Sequence, residues 1–502
     1  MTVVNPNSIS GITSITMPSG GDNVLTIHTN NGVERFRIDS SGNVKVGSAA
    51  TISPDGDVFF TGVCTATTLS GAASGLTGAL PAISAASLTN VPAANVVGVH
   101  TSLTVTNTTT TGSAVVGGGV TISESGIEAS GIGITCANIN GAQIGGRRNI
   151  VINGAMQVAQ RGTSFTLSTG AFATDRFKFA SGGVNETVTG SQISLSTSTS
   201  PAGDLFRNAA RLTNGNQTSG AQAGSYVQLF YDVEAQDLAN SGWQYASSSS
   251  FITLSFYVRS SVAQTFYGWA TTNDGTVLRY TFDIPVTQAN TWTRVTKTIS
   301  GDSNITINND NGTGLRLLFC PFYGTSYTND KALNSWAAAD GANYCPDMTT
   351  TWLTTNDATF DVTGVQLEVG SQATPFEHRS FGDELRLCQR YCQVLGGYPN
   401  SSLFAVATGN GAGTVTSIYT AAVPFRTVPT LSFSSLSHMN IYDFGASASR
   451  GSPTSSSLIT TISNNQYIYF DSTGMSNTTS GAFHMFRAAD TSSALFTLSA
   501  EL

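Results

Sequence analysis

The stretch Phe251-Ile252-Thr253-Leu254-Ser255-Phe256-Tyr257-Val258-Arg259 decides the fold class. A strand alternates its side chains, so Ile252, Leu254, Phe256 and Val258 share one face. Leu278, Tyr280, Phe282 and Ile284 repeat the device, as do Val365, Leu367 and Val369. Turn formers such as Asn273-Asp274-Gly275 separate these runs. The pattern predicts a mainly β chain, with two packed antiparallel sheets forming a sandwich over residues 147–377.

On the C-terminal side a helix is expected over 378–397. Ser380 and Asp383 resemble a capping box, and Gly396-Gly397 followed by Pro399 give a stop. Leu385, Leu387, Cys388, Tyr391, Cys392, Val394 and Leu395 fall on one half of the wheel, with Arg386, Gln389, Arg390 and Gln393 on the other. That apolar arc is wider than a surface helix needs. It is therefore expected to pack on its own domain and on a neighbouring chain, with Leu385, Cys388, Tyr391, Cys392 and Leu395 at the oligomer interface. Strand patterns resume over 398–502 in Thr430-Leu431-Ser432-Phe433, Gln466-Tyr467-Ile468-Tyr469-Phe470 and Ala494-Leu495-Phe496-Thr497-Leu498. They predict a second, C-terminal β domain.

On the N-terminal side, residues 1–63 read as short strands. Phe36 and Ile38 alternate with Arg35 and Arg37, Ser40-Ser41-Gly42-Asn43 turns, and Val44-Lys45-Val46 resumes: a hairpin. Residues 64–146 are nearly without charge and rich in Ala, Ser, Thr, Gly and Asn, with the echo Leu76-Thr77-Gly78-Ala79-Leu80-Pro81 and Leu88-Thr89-Asn90-Val91-Pro92. Such a stretch cannot bury a core of its own. It is either a flexible linker or a shaft in which copies wrap one axis and share an interior. The spaced apolar residues Val115, Val116, Val120, Ile122, Ile127, Ile132, Ile134, Ile139 and Ile144 favour the intertwined shaft.

The composition agrees with a turn-rich β protein that covers surface with copies of itself. The 502 residues are 40% hydrophobic and only 10% charged, with 52 glycines, against about 25% charge in ordinary globular domains. A net charge of -8 offers no basic footprint for nucleic acid and no polybasic membrane patch. The start Met1-Thr2-Val3-Val4-Asn5-Pro6 has no cationic and apolar leader, and no apolar run is long enough to span a bilayer. Neither nucleic-acid binding nor membrane insertion is expected. The six cysteines Cys64, Cys136, Cys320, Cys345, Cys388 and Cys392 are too scattered for a disulfide framework and read as buried thiols of a chain made in a cytoplasm.

Three blocks carry a family likeness. The first is Arg148-Asn149-Ile150-Val151-Ile152-Asn153-Gly154-Ala155-Met156, followed by Ala159-Gln160-Arg161-Gly162 and Asp175-Arg176-Phe177. The second is Val365-Gln366-Leu367-Glu368-Val369-Gly370-Ser371-Gln372-Ala373-Thr374-Pro375-Phe376-Glu377, and the third Glu384-Leu385-Arg386-Leu387-Cys388-Gln389-Arg390-Tyr391. Together they resemble the tail-fibre proteins of tailed bacteriophages, particularly those of cyanobacterial hosts. Arg35 to Val44 looks like a phage fibre hairpin. The resemblance implies an elongated homotrimer in the virion tail, made in the host cytoplasm and joined to other tail proteins by its N-terminus. It also implies a jelly-roll module of carbohydrate-binding type and a C-terminal half turned to a host-surface glycan or protein. The domain after Gly397 carries no motif of that family.

Catalysis finds little support in the residues. Glycan cleavage needs two carboxylates facing a sugar, but Asp383 and Glu384 open the helix, where acids favour the dipole. Glu124 and Glu128 lie in the shaft, G-x-S-x-G does not occur, and His28, His100, His378, His438 and His484 have no partner at a recognisable spacing. No enzyme activity is expected. No metal or cofactor is expected either: Cys388 and Cys392 lack the further ligands zinc needs, and Asp55-Gly56-Asp57 and Asn308-Asn309-Asp310-Asn311-Gly312 are ordinary turns. Glycan stacking on flat rings is the remaining chemistry, with Tyr257, Tyr267, Trp269, Tyr323 and Trp336 as candidates. Trp243 and Trp292 are expected in the core, and Tyr419, Tyr442 and Tyr467 are parallel candidates in the terminal domain.

Overall fold

The computed structural model describes residues 24–29, 31–48, 50–61, 65 and 148–502 apart from 167–170, 202–204, 398–401 and 490, and the backbone of five short strands between 114 and 143. The rest of the expected shaft lies outside the described residues. The chain divides into two units, Met1–Thr111 and Gly112–Leu502. It is mainly β.

The first unit contains a five-stranded antiparallel meander in chain order, Leu25–His28, Glu34–Ile38, Val44–Val46, Ala50–Ile52 and Val58–Phe60. The expected hairpin is present, with Phe36 opposite Val46 and Ile38 opposite Val44. Its turn closes because the Asp39 carboxylate accepts from the backbone N–H groups of Ser41 and Asn43, at 3.2 and 3.0 Å. None of the described residues of this meander is buried. Ile27, Val46, Val58, Phe59 and Phe60 are 49–60% exposed.

The second unit holds the sandwich. One sheet has the spatial order Ser164–Thr166, Thr189–Ser194, Asn208–Thr213, Thr359–Val369, Phe251–Ser260 and Thr293–Ser300. The other runs Ala171–Thr174, Phe177–Gly182, Tyr226–Glu234, Thr313–Tyr323, Gln264–Thr272, Leu278–Val286 and Trp336–Ala338. Between them Ile252, Leu254, Phe256 and Val258 meet Phe266, Phe282, Leu317 and Phe319 in one buried core. Phe256 packs edge-on against Phe319 with centroids 4.8 Å apart. The four residues that opened the sequence argument are all buried.

The three family-like blocks meet around the first of them, whose Asn149, Asn153 and Gly154 reach both of the others. Gly154 runs so close to the second block that a Cβ there would lie 2.0 Å from the Val365 carbonyl oxygen. Asn149 donates from Nδ2 to Val365 O at 3.1 Å and accepts from Leu367 N at 3.1 Å. Asn153, in the left-handed region at φ 61°, donates its backbone N–H to the buried Glu384 of the third block at 2.5 Å.

The helix is shorter than the periodicity predicts. It spans Phe381–Gln389, capped by Ser380, whose hydroxyl accepts from Asp383 N. Cys392–Gly396 is instead a strand of a three-stranded sheet with Leu495–Ser499 and Thr430–Phe433. Pairing with distant Leu495–Ser499 overrides the local helical spacing. Gly396, at φ 132° with a Cβ position 2.0 Å from Ala494 O, ends the strand rather than the helix.

The expected oligomer face is corrected with it. Cys388, Tyr391 and Cys392 have no exposed surface within a single chain, so none can meet a neighbour. Cys388 and Tyr391 pack on Ile152 and Val158, with Leu385 half-buried beside them, and Leu395 packs into the terminal core. Ion pairs accompany this packing. The Glu501 carboxylate takes Arg161 and Arg176, each at 2.5 Å, and Glu234 takes Arg390 at 2.6 Å and the Tyr391 hydroxyl at 2.5 Å.

The terminal domain is a second two-layer structure. Its seven-stranded sheet has the order Ala448–Ser449, Met439–Asp443, Phe483–Ala488, Leu403–Gly411, Thr414–Thr420, Tyr467–Thr473 and Ser455–Leu458. The three-stranded sheet covers its inner face, with Phe433 and Phe496 packing on Phe404, Phe470 and Phe486. No described helix is long and apolar enough to cross a membrane.

Candidate recognition faces

Alternation along the sandwich's seven-stranded sheet sends a second set of side chains outward, away from the core. Tyr226, Tyr267, Trp269, Cys320 and Tyr323 stand on this face. Three of the five glycan candidates, Tyr267, Trp269 and Tyr323, are thereby neighbours: the Trp269 and Tyr323 rings lie 5.2 Å apart. They are not free for a ligand. The loop from Gly324 to Thr349 folds back over them, placing Tyr344 at 5.4 Å from both rings and Tyr327 at 5.4 Å from Tyr323. Arg279 anchors that loop, donating to Asp340 O at 2.9 Å while its guanidinium sits 3.9 Å over the Tyr344 ring. Trp269 keeps 2% exposure and Tyr323 7%. Their burial corrects the expectation of a stacking platform: the roof completes a satellite core. Burial pushes the Tyr323 hydroxyl far above its ordinary range, and the group donates to Gln228 Oε1 at 2.5 Å.

The remaining candidates separate. Tyr257 lies on the other sheet, buried against Phe206 at 5.6 Å, because the strand that faces the core on one side is covered on the other. Trp336 is half-buried on the edge strand, donating Nε1 to Ser300 O at 2.7 Å. Tyr267 is half-buried at the margin of the roof. Trp243 is in the core, whereas Trp292 is only half-buried.

The outward face of the terminal seven-stranded sheet has no roof among the described residues. Register places Tyr442 beside Met485, Met485 beside Val406, Val406 beside Ile418 and Ile418 beside Tyr469, an unbroken row over five strands. Val406 is 52% exposed, and Phe483 and Tyr467 flank the row at 74% and 42%. Arg487 lays its guanidinium 4.0 Å over the Tyr442 ring, and its Nε has no hydrogen-bond partner. Polar groups border the row: Asp471 accepts from Thr416 Oγ1 at 2.6 Å, and Asn410 donates to Thr416 Oγ1 at 3.0 Å. Of the terminal candidates, Tyr442 and Tyr467 belong to this surface. Tyr419 points inward and donates to Gln393 Oε1 at 2.6 Å. Strand register across five elements separated by up to 80 residues assembles the row, so no single segment announces it.

The buried carboxylates are taken up by the fold. Asp361 is held by Arg211 and Arg259, both at 2.7 Å, and Asp232 by Arg316 at 2.6 Å. Burial alone would raise the Glu501 carboxyl, but Arg176 and Arg161 outweigh it and hold the acid below the usual carboxylate range. The Asp383 carboxylate accepts from the capping Ser380 hydroxyl at 2.6 Å, and Glu384 accepts from Asn153 N. Asn308 and Asp310 are occupied by turn bonds, including Asn308 N to Asp274 at 2.8 Å and Gly312 N to Asp310 at 2.8 Å. Among the described residues no group of three His, Cys, Asp or Glu side chains is placed to hold a metal ion. A cleft of about 430 Å³ beside Ala235–Ala239 is lined by Arg148, Gln236, Asp237, Asn240 and Ser241, with no aromatic ring among them.

No family model matches this sequence, and no curated protein matches it. Solved structures do match. The enzymatically active domain of tailspike protein 4 from bacteriophage CBA120 is 12% identical over 44% of this chain and 21% of its own, with a TM-score of 0.22. TmCBM61 in complex with β-1,4-galactotriose is 8% identical over 44% of this chain and 98% of its own, with a TM-score of 0.22. The N-terminal cellulose-binding domain of Cellulomonas fimi β-1,4-glucanase C is 11% identical over 39% and 90%, with a TM-score of 0.20. The match thus spans about a fifth of that tailspike domain's length.

Proposed function

We propose that this chain is a non-catalytic tail-fibre protein of a tailed phage. It acts as a homotrimer attached to other tail proteins by its N-terminal unit, and it recognises the host surface through the open face of its terminal domain. A host glycan is the first ligand class, stacking on Tyr442, Tyr467 and Tyr469. The observation that carries this reading is the distribution of exposed apolar surface. Among the described residues, Ile27, Val33, Val46, Ile52, Val58, Phe59 and Phe60 are exposed in the N-terminal meander, and Leu403, Val406, Val428, Phe444, Ile462, Tyr467 and Phe483 in the terminal domain. Between them in sequence, the described large apolar side chains that are exposed are only Leu205 and Val277 of the sandwich and Phe381 at the start of the helix. Apolar surface left open in such patches marks contact with other molecules. A meander that buries nothing gains its order by pooling that surface with sister chains, and three weak terminal sites held together bind far better than one.

The test uses the full-length protein. Native mass should give three copies. Host cells pre-incubated with it should adsorb fewer phage, and host polysaccharide incubated with it should keep its chain length. Shortened polysaccharide would replace this reading with a depolymerising tailspike. Unchanged adsorption would replace it with a part that only joins tail components.

A further inference from the structure

The roof over Trp269 and Tyr323 is fastened beside two thiols that the recognition role does not use. Cys320 stands on the outward face of Thr313–Tyr323, and Cys345 sits in the roof loop four residues before its end. Both are free and wholly buried in the same cluster. Cys320 Sγ lies 3.7 Å from Met348 Sδ, which packs against the same cluster as both cysteines. The Cys345 backbone is pinned from both sides: it bridges to Thr328, and its carbonyl accepts from Asn329 N at 3.1 Å. Tyr344 next to it is tied by its N–H to Tyr327 O at 2.8 Å and by its carbonyl to Thr281 Oγ1 at 2.9 Å.

We propose that Cys320 and Cys345 are an oxidisable pair whose disulfide staples the roof loop to the sandwich sheet once the protein meets an oxidising environment. The reduced cytoplasm keeps such pairs open, and extracellular conditions close them. A small-molecule disulfide such as oxidised glutathione supplies the oxidising equivalents. One cysteine thiolate attacks it, expelling a glutathione thiolate and leaving a mixed disulfide. The second cysteine thiolate attacks the protein sulfur of that mixed disulfide and expels the other glutathione. Two protein thiols are oxidised, one disulfide is reduced to two thiols, and both protons end on glutathione. Burial pushes the Cys320 thiol up, and the thiolate is the reacting species, so closure happens during folding or through an opened loop. The staple closes a loop of some 26 residues, which lowers the entropy of the unfolded chain.

The full-length protein, unfolded and refolded in reduced and oxidised glutathione, tests this without burial as a barrier. Thiols counted after denaturation should fall from six to four, and digestion should yield one peptide pair joining Cys320 to Cys345. The sandwich should melt roughly 5–10 °C higher than its reduced form. Cys345→Ser should keep all five of its thiols. Protein taken folded from an oxidising host cytoplasm is counted in the same way, so failure to refold does not block the answer. Six persisting thiols, a link through Cys388 or Cys392, or loss of two thiols in Cys345→Ser would each overturn the pair.

Discussion

Two seven-stranded sheets in this chain turn tyrosines away from their cores, and only one of them is covered. On the sandwich sheet, Trp269 and Tyr323 lie beneath Tyr327 and Tyr344 of a returning loop. On the terminal sheet, Tyr442, Tyr467 and Tyr469 stand with Val406 and Phe483 on a face that no described segment overlies. Strand alternation is the same in both. The difference lies in a loop of 26 residues, Gly324 to Thr349, and it turns one aromatic face into core while leaving the other available. Rings alone therefore do not mark a binding face; what crosses above them does.

The contrast can be broken by substitution. Trp269→Ala should destabilise the sandwich by about 3–5 kcal/mol, the cost of emptying a covered aromatic site, whereas Phe483→Ala on the open face should change stability by under about 1 kcal/mol. Denaturant unfolding of both variants checks it, and equal losses would remove the distinction between roofed and open. Glu501→Ala should be comparable to the tryptophan change, about 3–5 kcal/mol, because it leaves Arg161 and Arg176 buried without their carboxylate.

A smaller effect is tied to pH. His484 is buried under the open face, 4.0 Å from Asp443. Burial lowers its pKa, and Asp443 offsets that only in part. The unfolded ring gains its proton at the ordinary value near 6.5 and the folded ring only at lower pH. The terminal domain should therefore hold full stability above the usual histidine range and lose it as pH falls through that range. Melting temperatures at pH 7.5 and 5.5 should show the drop, and His484→Asn should flatten it. The smallest expected change is in Arg487→Ala, with stability within about 0.5 kcal/mol of the parent, since its Nε has no hydrogen-bond partner and its guanidinium only stacks on the half-buried Tyr442 ring.

The sequence carried the sandwich well because Ile252, Leu254, Phe256 and Val258 alternate without interruption, and alternation reports burial directly. It carried the hairpin at Phe36 and Ile38 for the same reason. It misread Cys392–Gly396 as helix because the strand's partner, Leu495–Ser499, is about a hundred residues away and leaves no local trace. That error also misplaced the oligomer face: Cys388, Tyr391 and Cys392 are apolar because they seal the terminal domain to the sandwich. The sequence placed Tyr267, Trp269 and Tyr323 among its ligand candidates without sight of the roof. The row Tyr442, Met485, Val406, Ile418 and Tyr469 was illegible, since each strand contributes only one member.

The most direct test is saturation binding of labelled full-length protein to host cells, with the double variant Tyr442→Ala, Arg487→Ala beside the parent. The open face predicts saturable binding by the parent and a loss of roughly tenfold or more in the variant, about 1.4 kcal/mol, at an unchanged melting temperature. Equal binding by the two proteins would contradict it.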